Sequence, residues 1–359
     1  MKNMFSYLIM IEPLGFLYGS SGRFLSPENL VGRSGTNFPP SAATFSGLFA
    51  AEYGNDAIQN LLVAGPFWGN TEKVGSEQNF YVPTPLTYLV SDGKIGPKLT
   101  WDSKKEGWFY DGKAPNDKFD QGTWIAITDW QNPTNVINPY NDNKKAWKFC
   151  PHLHPKLEKD QRIVIQQSDE DEQREGSLFL ENAVQLNPDN CLVYLANREL
   201  ESGWYRFGGE GHIVEVKCFE LNEKIKELFQ QKIETKFAII TPAVWGSNRL
   251  SYREPIYLQK GDKEKYKKSD PDSANQTVWE LETLYTSRPI PFRYRLGDHE
   301  HQQKDGPKCL SRGRYAVPAG TVYVLKKALN KTWYEWDEEW FPKEGPSFKR
   351  WGCGLALPI

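Results

Sequence analysis

His212-Ile213-Val214-Glu215-Val216-Lys217-Cys218 alternates apolar and polar side chains as a half-buried strand does. Just beyond it, Leu221, Ile225, Leu228, Phe229 and Ile233 recur at helical spacing and mark one apolar face. Phe237-Ala238-Ile239-Ile240 then reads as a buried strand, so strand, helix, strand is predicted across residues 212–240. The same cycle lies nearer the N-terminus. Residues 4–18 cluster apolar side chains up to Gly19. Pro39 and Pro40 precede a three-turn helix predicted to run to Tyr53, with Ser41 as N-cap and Gly54 as its stop. Strand-like runs follow at 58–67 and 79–90. Strand, helix, strand, strand therefore appears twice, and each half reads as a ferredoxin-like split βαβ unit. The expected fold class is α+β: two ferredoxin-like domains with long insertions.

Between these units, residues 91–150 are rich in turns and Trp, and are read as an inserted set of hairpins and loops. The acidic run Asp169 to Glu172 marks a solvated loop, which places domains at 1–170 and 171–359. Residues 177–185 and 191–197 read as a hairpin turning at Asn187-Pro188-Asp189-Asn190. Tyr315-Ala316-Val317-Pro318-Ala319-Gly320-Thr321-Val322-Tyr323 reads as another.

Several classes are excluded by composition. The 359 residues are 39% hydrophobic and 25% charged, so the chain is neither disordered nor fibrous. No apolar run reaches the roughly 18 residues of a membrane span, and residues 4–11 are read as a strand rather than a signal peptide. The 5 cysteines are scattered, which fits a reducing compartment better than a disulfide scaffold. Lys and Arg number 44 against 46 Asp and Glu, so any nucleic-acid contact would be local. Aromatic residues make up 14% of the chain, as expected for rigid contact surfaces or for stacking of planar ligands.

Chemistry is sparsely signalled. There is no phosphate-binding loop with a following Lys-Ser/Thr, no zinc-protease helix and no Gly-x-Ser-x-Gly elbow. His152 and His154 near Cys150, and Asp298-His299-Glu300-His301, lack the four-ligand spacing of a zinc site and read as surface loops. No metal or cofactor is expected. The segment from Trp333 to Trp340 offers aromatics and carboxylates such as a glycosidase cleft uses, but reads rather as tryptophans presented to a partner. Gly208-Gly209-x-Gly211, with Arg206 upstream and His212 following, reads equally as a phosphate-approaching loop and as a tight turn. The strongest local signal is charge. Between Ser287 and Lys331 stand ten basic residues against three acids, among them Arg288, Arg293, Arg295, Arg312 and Arg314. They are interleaved with Phe292, Tyr294 and Tyr315, the composition of a site that grips phosphates and stacks bases of single-stranded RNA.

A set of short motifs, in order, carries a resemblance: Glu12-Pro13-Leu14; Phe38-Pro39-Pro40-Ser41-x-x-Thr44-Phe45-Ser46-Gly47-Leu48; Gly65-Pro66-Phe67; Val82-Pro83-Thr84-Pro85-Leu86; Gly176-Ser177-Leu178-Phe179; Phe207-Gly208-Gly209-Glu210-Gly211; Val317 to Tyr323; and Gly352-Cys353-Gly354-Leu355-Ala356-Leu357-Pro358. Together they resemble the third-subunit family of the Cmr complex, the type III-B CRISPR effector, within the RAMP superfamily. The resemblance implies two ferredoxin-like (RRM-like) domains around a cleft and a glycine-rich loop near the C-terminus. It implies a cytoplasmic, non-catalytic subunit that grips the 5′ tag of the guide RNA. Its other partners would be the large polymerase-like subunit and an adjacent RAMP backbone subunit. The RNA-facing set read on this basis is Arg23, Arg33, Phe38, Arg206, Gly208, Gly209, Gly211, His212, Arg288, Arg293, Arg295, Arg312, Arg314, Gly352 and Gly354. The Arg-Asp that family members carry after the first strand is absent, so its role passes to Arg23 or Arg33 or is missing from this chain. A RAMP-type guide-processing ribonuclease and, behind it, a carbohydrate-active hydrolase are the alternatives.

Overall fold

A computed structural model describes residues 4–18, 38–116, 118–140, 145–155, 178–208, 211–246, 251–256, 277–294 and 311–359. Seven strands form the larger sheet: β1 (Tyr7–Pro13), β2 (Val63–Asn70), β3 (Tyr81–Pro83), β4 (Trp124–Ala126), β5 (Asn190–Ala196), β6 (Gly203–Phe207) and β7 (His212–Glu220). Their order in space is β6-β7-β1-β5-β2-β3-β4, with every pairing antiparallel. A second, four-stranded sheet contains β8 (Lys236–Ile239), β9 (Leu281–Tyr285), β10 (Val322–Leu325) and β11 (Ala356–Pro358), in the order β9-β10-β8-β11. The molecule is mixed, with many strands and few helices.

Alternation along β1 sends Leu8 and Met10 to one side of the large sheet and Ile9 and Ile11 to the other. Ile9 and Ile11 meet helix α1 (Ala42–Tyr53), whose Phe45 stacks on Tyr194 of β5 at 4.3 Å. Ser41 caps that helix by accepting from the N–H of Thr44 at 3.4 Å, and Gly54 ends it at φ +78°. Leu8 and Met10 face the second sheet across the main core, where Phe237 of β8 stacks on Tyr323 of β10 at 4.9 Å. Such a pair adds roughly 0.5–1.5 kcal/mol beyond the area it buries.

Several expectations are corrected by pairing. The predicted strand–helix–strand of 212–240 exists, with helix α2 running Glu223–Phe229, but β7 and β8 belong to different sheets. The unit therefore joins two sheets instead of closing one. Leu178–Leu186 pairs with Trp147–Pro155 in a small three-stranded sheet while β5 pairs with β1 and β2, so the turn at 187–190 does not close a hairpin. Likewise Arg314–Ala316 pairs with Ile290–Phe292, and β10 with β8 and β9. Strands on both sides of residue 170 share the larger sheet, because β5, β6 and β7 stack beside β1 and β2.

Tryptophans of the 91–150 region pack within the molecule. The hairpin Thr100–Asp102/Gly107–Phe109 lays Trp101 and Trp108 on β9: Trp101 Nε1 donates to Glu282 at 3.1 Å, and the rings of Trp108 and Tyr285 lie 5.2 Å apart. Trp130 donates to the carbonyl of Pro358 at 2.8 Å. Trp333, Trp336 and Trp340 are buried in the main core, where Trp279 lies 5.2 Å from Trp336 and 5.9 Å from Trp340. Trp333 and Trp340 lie in two separate 3-10 turns and Trp336 in the extended stretch between them, and the burial of all three removes both the partner-presenting and the sugar-cleft readings of that segment.

A candidate nucleic-acid interface

The described part of the basic block packs against one largely buried carboxylate, that of Glu344. In the hairpin Ile290–Phe292/Arg314–Ala316, alternation puts Phe292 and Arg314 on the inner side and Pro291 and Tyr315 on the outer. Arg314 is 4% exposed. Its guanidinium binds both oxygens of Glu344, at 2.9 and 3.2 Å, and lies 5.1 Å from the centre of the Phe348 ring. Tyr294 is also inward, with its hydroxyl 3.4 Å from the same carboxylate; burial, then the Glu344 charge, pushes that hydroxyl far up. Arg314 is therefore corrected from an RNA-facing residue to a structural ion pair.

Its neighbours face outward. Arg312 keeps its side chain 60% exposed, 3.8 Å from a Glu344 oxygen that Arg314 already holds. Arg293 donates from Nε to the carbonyl of Ser311 at 2.9 Å, which brings its guanidinium beside Arg312. Arg288 is exposed, and Tyr315 is 58% exposed with its N–H held by Ser251 Oγ at 3.3 Å. Two guanidinium groups, those of Arg314 and Arg312, thus meet one carboxylate, and the phenol ring of Tyr315 stands open on the other side of the hairpin. That arrangement attracts phosphates and offers a base a surface to stack on.

The remaining expected residues fall elsewhere. Arg23, Arg33, Gly209 and Arg295 lie outside the described residues. Phe38 packs edge-on to Trp147 at 5.2 Å. Arg206 is exposed at the far edge of the large sheet, where Gly208 and Gly211 form the β6–β7 turn at φ +76° and +65°, closed by Gly211 N–H to Gly208 O at 3.2 Å. His212 sits opposite Phe207, on the side of the sheet that packs toward α1. Gly352 and Gly354 are packing glycines: a Cβ on Gly352 would lie 2.4 Å from the Cβ of Ala64, and one on Gly354 2.9 Å from the Trp245 ring. Beside them Arg350 donates to the carbonyls of Ile58 and Leu61 at 2.6 and 3.1 Å, so this C-terminal segment fastens the second sheet to the first. Trp204, 75% exposed on β6, was not singled out from sequence; alternation alone does not say which face of an edge strand is open. Among the described residues no three His, Cys, Asp or Glu are grouped to hold a metal, and no helix is long and apolar enough to cross a membrane.

The two sheets, fastened through close-packed glycines, are those of a subunit of a Cmr CRISPR effector, as the match to a protein family shows. Residues 128–359, well over half the chain, match the family described as CRISPR-associated protein (Cas_Cmr3), and the chain belongs to that family. No curated protein matches. Among solved structures, the chain is similar to one in the type III-B Cmr-beta complex bound to cognate target RNA, at 12% identity and a TM-score of 0.45, covering 88% of this chain and 86% of that one. A second structure of Cmr-beta, with target RNA and AMPPnP, gives 11% identity and a TM-score of 0.43 over the same shares. A chain of the Csm3–Csm4 subcomplex of the type III-A interference complex gives 10% and 0.33, covering 90% of this chain and 94% of that one. The assignment rests on the family match.

Proposed function

We propose that this chain is a non-catalytic RNA-binding subunit of the type III effector. It grips the 5′ tag of the guide RNA and docks the large polymerase-like subunit. The observation that carries the RNA reading is the exposure of Tyr315, Arg312 and Arg288 on and beside one short hairpin, where Arg314 already holds the Glu344 carboxylate. A ring stacks on any base and guanidinium groups follow the backbone, so the cluster suits a single-stranded tag. The described residues of the patch include no histidine, and His212 belongs to the other sheet, which supports binding over general acid–base cleavage. Strand order supports two ferredoxin-like halves. In each sheet the strands β7-β1-β5-β2 and β11-β8-β10-β9 run fourth, first, third, second in chain order, with β6 standing where the first half's second helix would be.

The test uses the assembled effector. Tyr315→Ala combined with Arg312→Glu is expected to weaken tag-RNA retention by roughly 5- to 150-fold, the range for losing one base stack. It should also flatten the salt dependence by about 0.7 in slope for each phosphate no longer neutralised. Unchanged affinity and slope, with normal assembly and melting temperature, would remove the RNA role of this hairpin.

A further inference from the structure

The far edge of the large sheet carries a different signal. Among the described residues β6 is the outermost strand of this sheet, and its pairing is with β7. Leu14 donates its N–H to the carbonyl of Ile213 at 3.2 Å, so the peptide groups of Ile213, and of Glu215 two residues on, point toward β1. Cys218 instead points its N–H toward the β6 side, where Ser202 Oγ accepts it at 3.1 Å. Arg206 and Trp204 stand opposite Ile213 and Glu215. They are therefore the non-hydrogen-bonded partners of β7, and their own N–H and C=O groups point outward from the sheet.

Sheets usually blunt such an edge with lysine, proline or a bulge. Gly203-Trp204-Tyr205-Arg206-Phe207 has no lysine or proline, and its register with β7 is unbroken. Trp204, Ile213 and Leu14 are exposed on one face, at 75%, 42% and 56%. On the other face the hydroxyl of Tyr205 is pushed up to about 12, by burial first and then by the nearby Glu52, Tyr53 and Glu201.

We propose that β6 is a strand acceptor: an extended segment of another protein chain adds to this edge, apolar opposite Trp204 and basic on the face toward Glu52 and Glu201. Charge selects that occupant. On the Trp204 face Arg206 and Lys217 balance Glu12 and Glu215, with Lys217 Nζ 2.7 Å from Glu12 and 3.4 Å from Glu215, so the carboxylates Glu52 and Glu201 mark the other face as the one that takes the basic side chains. A second copy pairing symmetrically about Tyr205 would bring the Glu52 and Glu201 carboxylates of both copies along one face. The segment gains main-chain hydrogen bonds from the edge and specificity from its alternate side chains. The proposal rests on the chain being part of an assembly, and is independent of the Tyr315 hairpin.

Amide hydrogen exchange on the full chain, free and within the assembled effector, tests it. The Trp204 and Arg206 amides should exchange at least roughly tenfold more slowly in the assembly, the effect of about two added ladder bonds. Arg206→Pro removes an outward donor without removing a β6–β7 bond, and should lower incorporation into the effector roughly tenfold, while Arg206→Ala, which keeps the N–H, costs less. Three results each overturn the proposal: equal exchange in both states, protection on adding single-stranded RNA to the free chain, or protection that grows with the concentration of the free chain alone. If the proline variant does not fold, the exchange measurement on the unmodified chain still decides.

Discussion

A Cβ at Gly208 would meet nothing within 4 Å, whereas one at Gly352 would lie 2.4 Å from the Ala64 Cβ and 2.7 Å from its Cα. Both residues hold φ in the left-handed region, at +76° and +66°. The first glycine serves an exposed hairpin turn and needs only its conformation. The second needs the space as well, since the backbone of β2 passes through the volume a side chain would take. Two Gly-x-Gly-like signals in the sequence thus do separate work. Gly320, at φ +88°, belongs with the second kind: its Cβ would lie 2.7 Å from Thr84 O, and its carbonyl accepts from Leu86 N–H at 2.8 Å. The seam between the sheets is built where backbones touch.

This contrast orders the expected effects. Gly352→Ala should destabilise the chain by about 4 kcal/mol, combining left-handed strain with overpacking. Chemical denaturation would measure it, and Ala64→Gly should restore only part, because the Ala64 Cα stays in the way. A loss under about 1 kcal/mol would break the distinction. Arg314→Leu should cost about 3 kcal/mol, since the largely buried Glu344 then loses its bidentate partner and keeps only Arg312 at 3.8 Å. Adding Glu344→Leu should recover most of that loss, and failure to recover would mean that Arg314 contributes by packing on Phe348 and not by charge. Gly208→Asn should stay within about 0.5 kcal/mol, as asparagine tolerates the left-handed region and the position is open. A larger drop in melting temperature would place further packing at the turn.

Local physics was legible in the sequence, and long-range pairing was not. Ser41, Gly54 and the apolar stripe of α1 announce that helix through capping and composition, and the structure has it. The apolar stripe at 221–233 likewise announced α2. Nothing local tells β7 and β8 to enter different sheets, because an alternating strand pairs equally well with any edge of matching pattern. The same limit governs the site. Arg312 and Arg314 look equivalent on a charge count, but only the second lies on the inner side of its hairpin, facing Glu344 thirty residues later. Period-two alternation alone would set both on one face, but the chain at Arg312 precedes the regular strand and the alternation does not reach it. Trp204 and the tryptophans of 333–340 show the converse: residues of one type, exposed in one case and buried in the other, with the difference set by partners distant in the chain.

The position of β1 has a consequence for how the chain is made. β1 ends at Pro13, yet its two neighbours are Asn190–Ala196 and His212–Glu220. During synthesis at about 5–20 residues per second, the first strand would wait on the order of 10 to 40 s before either flank exists. Over that interval Leu8, Ile9, Met10 and Ile11 form an apolar segment with both edges open, the condition in which strands find wrong partners. A chain with this topology is expected to fold late and slowly, with a yield set by what shields β1 as it leaves the ribosome.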